Sequence, residues 1–211
     1  MTKTHSRTLL AGIAVLAALA AGCASKPDSY YTLASSVPAD QIAAPAASGT
    51  VPLAIELAPV AVPERLARPQ MVVRKPGGSV QVEVLEQHRW ASSFENELRD
   101  ALASGIATRL GALDVSKGGR PNVQPVWRIA AQLKQFDAVD GGRVEAAFSW
   151  TLRRADEPRT LVCSFEAGEP VGTGMDAVAQ GAQRVTAAAA AAMARSVAAA
   201  RANPSATACA L

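Results

Sequence analysis

The chain has 211 residues, 49% of them hydrophobic and 18% charged, with 21 lysines and arginines against 18 acidic side chains. That length gives one domain with a sizeable core. A charge balance this close to neutral lacks the concentrated basic face that nucleic acid requires, so a nucleic-acid partner is not expected.

The first element is Lys3 and Arg7 followed by an unbroken apolar and small run from Thr8 to Ala21, the order of a secretory signal. A run of roughly 14 residues falls short of the ~20 that cross the hydrocarbon core as a helix, so residues 1–22 read as a cleaved leader. Ala20, Ala21 and Gly22 directly before Cys23 resemble the lipobox of bacterial lipoproteins, in which cleavage falls between Gly22 and Cys23 and the cysteine thiol receives a diacylglycerol. Most lipoboxes carry Leu, Val or Ile where Ala20 stands. The alternative is a leader cut after Ala21 or Ala24, leaving Cys23 a bystander. An aspartate after the lipidated cysteine resembles an inner-membrane retention mark; Ala24 stands there, which implies the outer membrane with the body facing the periplasm. Losing Lys3 and Arg7 from the 21 basic residues leaves 19 against 18, a mature charge of +1.

Residues 23–50 are rich in Ala, Ser and Pro without periodicity and read as a lipidated N-terminus and tether. Fully extended, such a stretch reaches roughly 90 Å. Tyr30-Tyr31-Thr32-Leu33 interrupts it and reads as a short strand or hook docked on the body. The body is expected over 51–202, with 203–211 a disordered tail. Val51, Leu53, Ile55 and Leu57 alternate with polar or small neighbours as a strand does. Pro59, Pro63 and Pro69 then break the ladder into an irregular or edge segment. Met71 to Arg74 and Val80 to Val84 flank Pro76-Gly77-Gly78 as a hairpin.

Trp90, Phe94, Leu98, Leu102, Ile106 and Leu110 recur every four residues, which predicts a helix with one buried stripe. Ser92 with Glu95 suggests its capping box and Gly111 its stop. Trp127, Ile129, Ala131 and Leu133, and after Asp140-Gly141-Gly142 the residues Val144, Ala146, Phe148, Trp150 and Leu152, predict paired antiparallel strands. A third strand ends near Phe165. From about Gly174 to Ala200, Met175, Val178, Ala182, Val185, Ala189, Met193 and Val197 form a second helical stripe, with Ala187 to Ala192 unbroken alanine. The expected fold is α+β: an antiparallel sheet with two amphipathic helices on one face. The opposite face, with Arg128, Lys134, Arg143 and Arg153, is wet or meets a partner. Trp90, Phe94, Trp127 and Trp150 are expected in the core, as are Val62 and Leu66.

Candidate chemistry is sparse. His5 leaves with the leader, so His88 is the one mature histidine, and a Ser-His-Asp set or a histidine metal site is hard to build. Cys163 and Cys209 lack metal-ligand spacing. Cys163 alternates with Leu161 and Phe165 and reads as a free core residue, with a disulfide to Cys209 the alternative in an oxidising compartment. No paired carboxylates stand out as an acid/base couple, and no Walker motif is present. Neither a catalytic residue nor a metal is expected.

Separated pieces together resemble one family, the PqiC-like auxiliary lipoproteins of ABC-type transport systems. They are Tyr30-Tyr31-x-Leu33, then Val62-Pro63-x-x-Leu66-x-Arg68-Pro69-Gln70-x-Val72, then Arg89-Trp90-Ala91, and Phe148-x-Trp150. Arg65 departs from the pattern, because the family usually has an aromatic there. The resemblance implies a non-enzymatic component of a lipid-trafficking machine with no cofactor beyond the acyl groups on Cys23. It also implies tethering to the inner leaflet of the outer membrane, association with an MCE-domain conduit protein, and a homo-oligomeric ring. Pro63, Arg65, Leu66, Arg68 and Pro69 are the expected partner contacts. The rival readings are a pilot or structural lipoprotein of another envelope complex and a lipid-anchored periplasmic hydrolase.

Overall fold

A computed structural model describes residues 27–34, 53–118, 126–205 and 209. The leader, Gly22 and Cys23 lie outside the described residues, as do most of the 23–50 stretch and most of the tail.

The α+β class holds, built from eight strands and two long helices among the described residues. The strands are β1 (Ser29–Tyr31), β2 (Ala54–Leu57), β3 (Gln70–Arg74), β4 (Val82–Trp90), β5 (Leu113–Asp114), β6 (Val126–Ala138), β7 (Arg143–Arg154) and β8 (Thr160–Pro170). The helices are α1 (Phe94–Leu110) and α2 (Met175–Ala202). They do not form the single antiparallel sheet that was expected. A five-stranded sheet has the order β5-β2-β6-β7-β8, and a separate three-stranded sheet has β1-β4-β3. The β6-β7-β8 meander and the β3-β4 hairpin are antiparallel, whereas β1 with β4 and β2 with both β5 and β6 are parallel. The parallel pairs follow from topology: between β2 and β6 lie a hairpin and a helix, the long crossover that a parallel neighbour needs.

Alternation along the meander sorts its residues between two faces. Ile129 lies opposite Leu152, Ala131 opposite Trp150 and Leu133 opposite Phe148, with Leu161 and Cys163 continuing those rows onto β8. All are buried, beneath α2, while α1 packs over β2 and β5. The small sheet adds Met71, Val73 and Trp90 to the same core, where the Phe94 ring lies 5.5 Å from Trp90 and 5.1 Å from Phe136.

The helices lie side by side in one direction. Glu97 and Gln183 reach the same backbone segment, Gly105 faces Ala190, and Arg109 and Ala194 line one concavity further along. Small residues permit this approach: a β-carbon on Gly105 would fall 2.9 Å from that of Ala190. Helix α2 therefore buries more than one stripe, with Ala182, Val185, Ala189, Met193 and Val197 fully enclosed and Ala190 and Ala194 also covered.

Two local expectations shift. Trp90 belongs to the end of β4, because its amide donates to Pro69 O at 2.7 Å and the next amide donates to Tyr31 O at 2.7 Å, so the ladder holds it out of the helix. The helix cap is accordingly Ser93, which accepts from Asn96 N, while Ser92 donates its hydroxyl to Glu97. Gly111 ends α1 with φ 57°, the left-handed conformation that suits glycine.

Candidate anchoring and contact site

The sequence between Cys23 and the body contains a fastening. Strand β1 adds to the exposed edge of β4, with Ser29 opposite His88 and Tyr31 opposite Trp90. Backbone pairing of three residues is weak alone, and side chains from both helices reinforce it. Leu33 is 1% exposed, inserted in the main core. The Glu97 carboxylate on α1 accepts from Leu33 N at 3.0 Å and from Thr32 Oγ1 at 2.8 Å. On α2, Gln183 Nε2 donates to Thr32 O at 2.9 Å and Ala34 O at 3.2 Å. The segment is thus a wedge gripped by both helices and the small sheet.

Tyr31 completes the grip. Its hydroxyl donates to Asp176 Oδ1 at 2.9 Å and lies 3.1 Å from His88 Nδ1, with the two rings stacked. The phenol has one proton and spends it on Asp176, so His88 Nδ1 must be the donor in the second contact. Burial, and then the hydrogen bond and negative charge of Asp176, hold the Tyr31 phenol above its ordinary pKa of 10.0. Asp176 sits in the first turn of α2, where a carboxylate is favoured by the helix dipole. The expected strand or hook at Tyr30 to Leu33 is therefore docked, and a free reach of 23–50 does not apply. Four residues separate Cys23 from Asp28.

The Pro59 to Pro69 segment is pinned as well. Ala58 N and Ala61 N donate to carbonyls of β6, extending β2 alongside it, and a single 3-10 turn follows at Glu64–Leu66. Leu66, 4% exposed, is a core residue and offers no surface to a partner, which corrects its place among the expected contacts. Arg65 donates to Phe136 O at 3.3 Å and lies 3.9 Å from Asp137, the carboxylate that Arg74 meets at 2.6 Å. Arg68 and Pro69 are exposed and Pro63 is half-buried. Trp90, Phe94, Trp127 and Trp150 are all buried.

Cys163 is 4% exposed, yet it is bonded to Cys209. The reading as a free core thiol is corrected. Its position on the helix-covered face of the edge strand leaves its sulfur within reach of a returning chain, and the two Cα atoms are 5.6 Å apart. An even number of cysteines after Cys23 was the available signal. The grip of Glu97, Asp176 and Gln183 on β1 was missed, since polar residues on a helix read first as solvated.

The open face of the five-stranded sheet is polar and small. Thr151 lies opposite Val162, Ser149 opposite Ser164 and Arg128 opposite Arg153. Val162 is 75% exposed, and a concavity of about 400 Å³ lies toward the Arg143 and Glu166 end. Arg128 is paired with Glu56 at 3.0 Å and Arg143 with Glu145 at 3.0 Å. Strand β8 pairs only with β7 among the described residues, leaving an eleven-residue edge. Among the described residues no three His, Cys, Asp or Glu side chains gather to hold a metal ion.

A family described as the ABC-type transport auxiliary lipoprotein component matches residues 31–194, from the second tyrosine of β1 through most of α2. The chain belongs to that family. Its fold is similar to a crystal structure of an uncharacterized protein, at 20% identity and TM-score 0.63 over 82% of this chain and 99% of that one. It is also similar to protein XCC0632 from Xanthomonas campestris, at 15% identity and TM-score 0.58 over 79% of this chain and 92% of that one. No curated protein matches the sequence.

Proposed function

We propose that this member of the ABC-type transport auxiliary lipoproteins is a non-enzymatic subunit of a system that moves lipid between membranes. It is anchored in the outer membrane by acyl groups on Cys23 and faces the periplasm. Its work is contact: copies assemble into a ring that docks the tip of an MCE-domain conduit arriving from the inner membrane. The observation that carries the reading is the family match over residues 31–194. Two surfaces support it, the open sheet face with the long β8 edge and the rim formed by Pro63, Arg65, Arg68 and Pro69. Edge strands of this length are templates for another chain, and a head-to-tail contact that closes on itself makes a ring.

The test is a pull-down of the mature lipidated protein from detergent-solubilised membranes. Recovery of an MCE-domain protein is the expected result, and recovery of only secretion or wall components would replace this reading with that of a pilot or structural lipoprotein. Turnover of a defined substrate by the purified chain, lost in His88→Ala, would replace it with the hydrolase.

A further inference from the structure

We infer that the end of the molecule carrying the α2 N-terminus faces the lipid bilayer, with α2 standing away from the surface and its C-terminus at the distal end. This rests on acylation of Cys23. Tyr31 bonds to Asp176 in the first turn of α2, and one and three residues later, at Thr32 and Ala34, the chain meets Gln183, two helical turns on. Strand β1 therefore runs along α2 from its N-terminus toward its middle. Followed backwards, from Tyr31 to Asp28, the chain heads off the N-terminal end of that helix.

The remaining length is short. Four residues lie between Cys23 and Asp28, and the five steps along the chain, at ~3.5 Å each, span at most about 18 Å. Helix α2 has 28 residues, which at 1.5 Å per residue is about 42 Å. A tether shorter than half the helix cannot let the far end of α2 reach the surface as readily as the near end. The near end also contains the β6-β7 turn, because Asp140 accepts from Gly174 N at 2.6 Å, and Gly141 N donates to Gly172 O. The distal end holds the β7-β8 turn, where Arg154, Glu157 and Arg159 line one concavity with Arg201 and Pro204.

The surface near the exit point fits a bilayer held at the length of a tether. Tyr30 is 63% exposed where the chain leaves β1, and a tyrosine presents both an apolar ring and a polar tip suited to a lipid interface. Asp28, Glu86, Asp140 and Asp176 are exposed at this end of the molecule, with Arg89 paired to Asp28 and Glu86. Charge of that sign does not adhere to anionic lipid, so acylation and tether length set the distance. The rim at Arg68 and the open sheet face stay accessible from the periplasm in this orientation.

The test uses the full lipidated chain in vesicles of phosphatidylethanolamine and phosphatidylglycerol, with an acceptor dye on the lipid headgroups. Thr173→Cys and Arg201→Cys place a donor dye at either end of α2, and intact mass first verifies acylation. Energy transfer several-fold stronger from position 173 than from 201 is expected. A flexible Gly/Ser insertion between Ser25 and Pro27 should bring the two efficiencies together by lengthening the tether. Equal transfer from both positions without the insertion would overturn the orientation while leaving the anchored reading intact. A chain recovered without acyl groups would remove both.

Discussion

The body is fastened near both of its ends to the same core, and the two fastenings are of different kinds. At the start, β1 is held by a three-residue parallel pairing, one buried leucine and a set of exposed or half-exposed hydrogen bonds to Glu97, Asp176 and Gln183. At the finish, Cys209 is joined covalently to Cys163 in the edge strand β8. Hydrogen bonds open to water contribute about 0.5–1.5 kcal/mol each, whereas a crosslink acts on the whole unfolded ensemble. The N-terminal fastening can therefore open locally while the body stays folded. The C-terminal one cannot be lost without lowering global stability.

Breaking the crosslink should produce the largest effect. A sequence separation of 46 corresponds in the chain-entropy treatment to about 4 kcal/mol, an upper figure for removing it. Cys209→Ser is expected to lower the denaturant midpoint accordingly, and reduction of the unmodified chain should reproduce the shift; an unchanged midpoint would mean that the bond contributes nothing. Leu33→Ala comes next. Deleting a buried leucine costs about 2–5 kcal/mol where the site cannot relax, but β1 can undock, which caps the global loss below that of Cys209→Ser. The variant should show loss of amide protection confined to residues 29–33 and faster proteolysis there, and loss spread across β6 and β7 would refute local opening.

Glu97→Ala removes the acceptor shared by Leu33 N, Thr32 and Ser92. Roughly 1 kcal/mol should be lost, visible in the same exchange measurement and smaller than for Leu33→Ala. The smallest effect is that of alkali. The folded state holds the Tyr31 phenol above its ordinary value, so it prefers the protonated form. The associated stabilisation is complete below the ordinary tyrosine value and fades as pH rises through the raised one. Exchange-independent proteolysis at 29–33 should increase in that alkaline window, and Tyr31→Phe should not show the increase.

The helices, the β3-β4 hairpin and the β6-β7-β8 meander were legible because period and turn chemistry agreed: Val144 to Leu152 alternates strictly, and Asp140-Gly141-Gly142 sits at the bend. The parallel pairings were not, because which strand neighbours β2 is decided by packing after β6 has formed. Trp90 misled because its spacing to Phe94 fits a helix as well as a strand end, and only the Pro69 and Tyr31 carbonyls decide between them. Among the site residues, the small wedge at Tyr30 to Leu33 could be read as a docked piece. Its partners could not, since Glu97, Asp176 and Gln183 lie 65, 145 and 151 residues from theirs.

Cys23 stands six residues before Ser29, where the clamped strand begins, and its chemistry decides how the body is attached. Intact mass and N-terminal peptide analysis of the mature chain, purified from the membrane fraction of the producing bacterium, examine it most directly. A protein beginning at Cys23 and carrying a diacylglyceryl group on that thiol is expected. An unmodified chain whose first residue lies elsewhere would contradict it.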